Sequence, residues 1–208
     1  AVLRSPESSD PFSSVTGRAT PTNFDAEKAA PLVAKTRDPI LRLLLANRFE
    51  QPEVVDTTLK ELLASKKPQL DAYLLASGKA TVNEDHVRAA ELLNKARYLP
   101  MQRDLRAQVD AAIVASVLAA KEAGLVKIAA DGSPQAADAD AESKDSATAA
   151  VDQSAALLEA GRAACLRLRQ TRLDPNKRSE LIAAMEDLGL KREAEKLDQL
   201  AATQPAVS

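Results

Sequence analysis

The chain has 208 residues, enough for one domain with a hydrophobic core, and its longest apolar runs are too short to span a bilayer. Hydrophobic residues make up 45% of the chain but aromatic residues only 2%, so helix-forming residues dominate and the composition predicts an all-α fold. A net charge of -2 gives the molecule as a whole no attraction for a polyanion, and a single cysteine excludes an intramolecular disulfide.

The first segment, residues 1–22, is rich in Ser, Thr and Pro and has no apolar periodicity. This composition predicts a disordered tail. The chain begins with Ala rather than Met, so we expect it to be processed or trimmed, and import into an organelle is one origin of such processing. Together these features predict an intracellular protein that is soluble or peripheral to a membrane.

A main helical region is predicted over residues 23–128. It opens with a helix that breaks near Asp38, a suitable N-cap, and Pro39, which suits the first position of a new helix. The helix after Pro39 has almost no polar face, so it is predicted to be central.

The next helix begins at Pro52, and we expect Pro68 to kink or divide it and Gly78 to end it. One stripe of that helix carries four apolar residues: Val55, Leu59, Leu62 and Leu63.

A longer helical pattern runs from a predicted N-cap at Asn83 to a predicted stop at Gly124, with Pro100 as a kink or break. Helical spacing places one set of small or apolar residues on a single face: Leu105, Val109, Ala112, Ile113, Ser116, Val117 and Ala120.

Residues 129–147 contain alternating acids at Asp138, Asp140 and Glu142. A calcium loop of the EF-hand type that started at Asp138 would need glycine at its sixth position and glutamate at its twelfth. Those positions hold Ser143 and Ala149. The segment is therefore predicted to be an acidic flexible linker.

Residues 148–203 are predicted to form a C-terminal helical pair or hairpin. Asp174 and Pro175 repeat the capping pattern of the earlier break, and Gly189 followed by Leu190 is typical of a Schellman ending. The first of these helices has one predicted buried face: Leu157, Leu158, Gly161, Ala164, Cys165 and Leu168.

Few residues suggest chemistry. His86 is the only histidine and has no local partners for catalysis or metal binding. Cys165 has arginines nearby but lies on an apolar face, which favours an inert, buried thiol. Lys79 follows glycine, as in a phosphate-binding loop, but the motif's first glycine and its Ser or Thr are missing. We therefore predict no catalytic, cofactor-binding or metal-binding residues and no cofactor.

The strongest charged feature is a cluster of basic residues near the C-terminus. Helical spacing puts Arg162, Arg169 and Arg172 on one flank, and Lys177 and Arg178 follow soon after. These five residues form the candidate partner-binding site. A solvated or internally paired face, a protein partner, and RNA or anionic lipid remain open alternatives. The absence of interleaved aromatic residues disfavours nucleic acid.

The sequence thus predicts an all-α helical bundle or irregular helical stack of about five or six helices. The favoured function is a non-catalytic scaffold, structural subunit or assembly factor within a larger protein complex. One alternative is a ribonucleoprotein subunit that contacts RNA through the arginine flank, for which binding should weaken as salt rises. Another is a helical enzyme of unrecognised type.

Overall fold

The structure, a computed structural model, describes residues 26–67, 69–128, 134–135 and 144–203. These residues form nine helices and one pair of short strands, so the all-α prediction is confirmed. The elements are α1 (Ala26–Lys35), α2 (Pro39–Arg48), α3 (Pro52–Leu63), α4 (Leu70–Val82), α5 (His86–Ala96), α6 (Arg103–Glu122), β1 (Lys127–Ile128), β2 (Pro134–Gln135), α7 (Lys144–Leu168), α8 (Pro175–Asp187) and α9 (Lys191–Thr203).

The helices in these ranges are more numerous than the five or six expected, because the long segments are divided near their prolines. The segment around Pro68 is split into α3 and α4, and the segment around Pro100 into α5 and α6. The predicted tail at residues 1–22 lies outside the described residues, as do the three alternating acids Asp138, Asp140 and Glu142.

The chain divides into two compact units between Ala72 and Tyr73, near the start of α4. The first unit contains α1, α2 and α3, and the second contains most of α4 and everything after it. This boundary falls within residues 23–128, which the sequence predicted as one helical region.

In the first unit, α2 packs against α1 and α3. Asp38 caps α2 as predicted, because its Oδ1 accepts hydrogen bonds from the backbone N–H of Ile40 at 2.8 Å and of Leu41 at 3.1 Å. The predicted stripe of α3 is also present: Val55, Leu59 and Leu62 are buried, and Leu63 is half-buried.

The prediction that α2 is central is wrong. Only Leu43 and Ala46 of this helix are buried, whereas Leu41 and Leu44 are 50% and 47% exposed. The reason is geometric: within its unit α2 packs against α1 and α3, and two neighbours cover only part of a helix that has almost no polar face. Leu32 of α1 is likewise 54% exposed.

The predicted end of α4 at Gly78 is also wrong, because the helix continues to Val82. A glycine inside a helix costs only about 1 kcal/mol, which the flanking helix formers offset. The turn that does end α4 places Glu84 in the left-handed region, with φ of 59°. The Asp85 N–H then donates to the carbonyl oxygen of Ala80 at 2.9 Å, as in a Schellman ending with glutamate in the glycine position.

The N-cap of α5 is Asp85 rather than the predicted Asn83. The Asp85 side chain accepts a hydrogen bond from the Arg88 N–H at 3.1 Å. Asn83 instead belongs to the turn that ends α4, where its N–H donates to the carbonyl oxygen of Lys79.

In the second unit, α6 and α7 pack against each other, and both also contact α5 and α8. The α7 helix contacts β2 as well. The apolar faces that the sequence predicts for the two long helices are those that form the core. On α6, five predicted residues are buried: Val109, Ile113, Ser116, Val117 and Ala120. On α7 all six are buried: Leu157, Leu158, Gly161, Ala164, Cys165 and Leu168.

The hairpin of α8 and α9 also follows prediction. Gly189 has a φ of 79°, and the Leu190 N–H donates to the carbonyl oxygen of Met185 at 2.7 Å, which completes the Schellman ending of α8.

The sequence did not predict β1 and β2, which pair antiparallel with Lys127 opposite Gln135 and Ile128 opposite Pro134. Across the described ranges, no helix is both long and apolar enough to cross a membrane.

Candidate partner-binding site between α7 and α8

The candidate site is built around the turn that joins α7 to α8. The α7 helix ends at Leu168, whose carbonyl oxygen accepts from both the N–H and the Oγ1 hydroxyl of Thr171, at 2.9 and 2.7 Å. Pro175 then disfavours helical backbone at Asp174, which is extended. Arg169 and Arg172 therefore lie in a turn, so the prediction that they share a helix flank with Arg162 is wrong.

The turn nevertheless brings three of the five predicted residues together. A cleft of about 410 Å³ lies among the end of α7, the start of α8 and α9, and its lining residues are Arg169, Thr171, Arg172, Leu173, Arg178, Leu197 and Leu200. Within the described part of the chain, no carboxylate forms an ion pair with Arg169, Arg172 or Arg178, and their guanidinium groups make no hydrogen bond. The cleft thus concentrates three positive charges that lack an internal counterion there.

The remaining wall of the cleft is apolar. Leu197 of α9 is buried, whereas Leu200, one helical turn further on, is 59% exposed. The hydroxyl of Thr171 is already used at the end of α7, so the guanidinium groups are the main hydrogen-bond donors that the lining side chains offer. The cleft therefore suits a ligand that is anionic on one side and apolar on the other.

Arg162 lies apart from this cleft. Its Nε donates to the carbonyl oxygen of Leu188 at 2.8 Å, and its Nη1 lies 3.3 Å from a carboxylate oxygen of Glu159. Leu188 follows the last residue of α8, whereas Arg178 is in the first turn, so about 15 Å of helix separates them. Arg162 stabilises the C-terminal end of α8, where unpaired carbonyls favour a cation.

Lys177 also does not line the cleft. Its Nζ lies 3.4 Å from a carboxylate oxygen of Asp174, and both side chains are exposed. The Lys177 backbone N–H donates to the other Asp174 oxygen at 2.9 Å. This hydrogen bond is the main reason why the pKa of Asp174 lies below its usual value. Lys177 thus belongs to the N-terminal cap of α8.

A second charged cluster was missed by sequence reasoning. Asp110 of α6 is only 4% exposed, and its Oδ1 accepts from Arg97 Nε at 2.9 Å and from Arg167 Nε and Nη2 at 3.0 and 2.7 Å. The cluster joins the end of α5 to α6 and α7. A signal was present in the sequence, because a charged residue beside Val109 interrupts the core-facing stripe of α6.

His86 and Lys79, two other candidates for chemistry, both lie in regular helices. His86 is the first residue of α5 and is half-buried, and no group of three or more His, Cys, Asp or Glu residues that could hold a metal ion occurs in the residues described. Lys79 lies inside α4, so the segment that resembled part of a phosphate loop is helical.

Cys165 is fully buried on α7, and burial raises the pKa of its thiol to about 12 despite the nearby Arg167 guanidinium. The thiolate is the reactive species, so we expect the native protein to resist a thiol reagent at pH values near 9.0, the ordinary pKa of the group. The unfolded chain should react quickly at the same pH. Rapid reaction of the native chain in an absorbance assay would show that Cys165 is accessible.

The same shift has a consequence for stability. The folded pKa is higher than the unfolded one, so the contribution of Cys165 is full below pH 9.0 and is lost as the pH rises towards about 12. In urea unfolding across this range, the wild type should lose more stability with rising pH than the Cys165→Ala variant, which lacks the thiol.

Comparison of the chain with protein-family models, with curated proteins and with solved structures yields no match.

Proposed function

We propose that the chain is a non-catalytic helical scaffold or structural subunit that offers helix faces to other proteins in a larger assembly. The observation that carries the proposal is the exposure of large leucines in the first unit. Leu32 of α1 and Leu41 and Leu44 of α2 are each about half exposed, in a small unit of three helices. Single exposed leucines are ordinary, but several on two adjacent helices favour a protein interface.

The two leucines of α2 support this proposal most directly. Leu41 and Leu44 are three residues apart and so lie on one face of the helix. Burying such side chains against a partner would contribute about 1 kcal/mol or more each, since they are only half exposed before binding. The conversion of exposed leucine surface into interface is the physical basis of the proposed scaffold function.

The test compares the native size of the protein in gently lysed cells with that of the purified chain. We expect the native form to elute well above the free chain, to resist nuclease, and to lose the larger size in a Leu41→Ser, Leu44→Ser variant. The matched control is Val82→Ser with Tyr98→Ser, which removes two apolar side chains that are even more exposed in the second unit. Elution of every form as the free chain would overturn the proposal.

A second candidate function is a ribonucleoprotein subunit, which the cleft of Arg169, Arg172 and Arg178 favours. Guanidinium groups without an internal counterion in the described residues are suitable for phosphate. Among the described residues, the lining has no aromatic side chain on which a base could stack, so we rank this function second. In the same experiment, loss of the larger form after nuclease treatment would favour it over the protein scaffold.

A further inference from the structure

We propose that the cleft formed by Arg169, Arg172, Arg178, Leu173, Leu197 and Leu200 binds an acidic peptide segment of a partner protein, with a leucine-like side chain of that segment covering Leu200. This inference rests on the proposed scaffold function, because it names the chemistry of a partner that such a scaffold would bind. It concerns the second unit, whereas the leucines that carry the proposed function lie in the first.

The charge of the cleft suits an acidic segment. Three guanidinium groups line one cleft, and no acidic side chain of the described residues pairs with any of them. Like charges held close together repel one another, and this repulsion is relieved when carboxylates bind between them. Each guanidinium also offers several N–H donors in a planar arrangement that matches a carboxylate. The cleft is thus complementary to a segment with more than one acidic residue.

The apolar wall of the cleft suits an apolar residue in the same segment. Leu200 is 59% exposed beside the arginines, and the buried Leu197 lies one turn before it on the same face of α9. A small inorganic anion would neutralise the arginines but leave Leu200 in water. A peptide that carries an apolar residue next to its acids would satisfy both sides of the cleft. The volume of about 410 Å³ also falls within the range of roughly 300–1,000 Å³ typical of ligand clefts.

Two further observations favour a peptide over a nucleic acid. The lining residues that the structure describes include no aromatic residue for base stacking, and the chain as a whole carries a net charge of -2. A long polyanion would extend beyond the cleft and meet this overall negative charge, whereas a short acidic segment would contact only the arginines and the leucines of the cleft.

The experiment measures binding of a fluorescent peptide of about twelve residues, rich in glutamate with interspersed leucine, to the full 208-residue chain by anisotropy. We expect measurable binding that weakens as salt rises and that falls by about tenfold or more in an Arg169→Gln, Arg172→Gln variant. The matched control is Arg37→Gln with Arg48→Gln, which removes two exposed arginines from the first unit and should leave binding unchanged. Circular dichroism checks that each variant is folded.

Further variants and peptides in the same binding experiment test the apolar contact with Leu200. A Leu200→Ser variant, or a peptide with alanine in place of leucine, should bind several-fold more weakly than the reference pair. A peptide with glutamine in place of glutamate should not bind. Equal affinity for the leucine and alanine peptides would overturn the proposal, since the cleft would then act only as a set of charges.

Two further probes in the binding experiment distinguish an acidic peptide from other anionic ligands. A single-stranded RNA of equal charge and vesicles of anionic phospholipid are tested against the same variants. Tighter, arginine-dependent binding of either probe than of the peptide would overturn the proposal in favour of that class. If the peptide fails to bind while the large native form persists and still depends on Leu41 and Leu44, the cleft proposal falls and the scaffold function stands.

Discussion

Replacement of Asp110 by alanine is expected to lower the free energy of unfolding by about 3 kcal/mol, because it leaves two arginines without their shared acceptor in a largely buried position. Breaking a buried ion pair by removing one partner typically costs about 3–5 kcal/mol. We expect the lower end of this range, because the side chains of Arg97 and Arg167 keep some contact with water.

The matched control for Asp110 is Asp187→Ala. Asp187 also forms an ion pair at 2.9 Å, with Lys121, but its side chain is well exposed. Exposed pairs contribute only about 0–1 kcal/mol, so this variant should unfold almost as the wild type does. Urea unfolding followed by far-ultraviolet circular dichroism compares the two. Equal losses would show that burial of Asp110 is not what makes its cluster important.

Replacement of Gly161 by valine is expected to lower the free energy of unfolding by about 2 kcal/mol through overpacking between helices. A Cβ atom at Gly161 would lie 3.1 Å from Val117 Cγ1 and 3.3 Å from Leu188 Cδ1. These contacts are tighter than ordinary packing even for one added carbon, and valine adds two further methyl groups beyond it. Gly161 therefore sets how closely α7 approaches α6 and the end of α8.

Two comparisons make the Gly161 prediction specific. Gly78→Val, in α4, should be neutral or slightly stabilising, because no atom beyond its chain neighbours and its own helix backbone lies within 4 Å of the added Cβ, and valine is a better helix former than glycine. Adding Val117→Ala to Gly161→Val should recover part of the lost stability by removing the nearest contact. Thermal unfolding of the variants decides it, and a loss at Gly78 as large as that at Gly161 would contradict the packing explanation.

Local sequence signals were enough to predict much of the fold. The buried faces of α6 and α7 followed from helical spacing, and the caps at Asp38 and Asp174 and the Schellman ending at Gly189 followed from residues close in the chain. Each of these features depends on neighbours within about two helical turns. The failure at α2 has the opposite cause, since its exposed leucines depend on how many helices surround it, which no local pattern reveals.

The charged sites show the same limit. The sequence predicted a cluster of basic residues here because Arg162, Arg169 and Arg172 would share one flank of a helix. That reason is wrong, because α7 ends at Leu168, before Arg169 and Arg172. The turn and α9 then bring Arg169, Arg172 and Arg178 to one cleft. Asp110 and Arg167 are 57 residues apart, so helical spacing within either segment could not pair them. Arg167, for which the sequence predicted no role, donates hydrogen bonds to the buried Asp110. Arg169, two residues further on, lines the cleft.

The long separation of Asp110 and Arg167 also bears on how the protein is made. On the ribosome, the α5 and α6 segments emerge before α7, and of the two arginines that contact Asp110 only Arg97, 13 residues away, is then present. At about 5–20 residues per second, Arg167 is added roughly 3–11 seconds later. During that interval the apolar face of α6 has no α7 to cover it, so this face of the nascent chain is accessible to a chaperone.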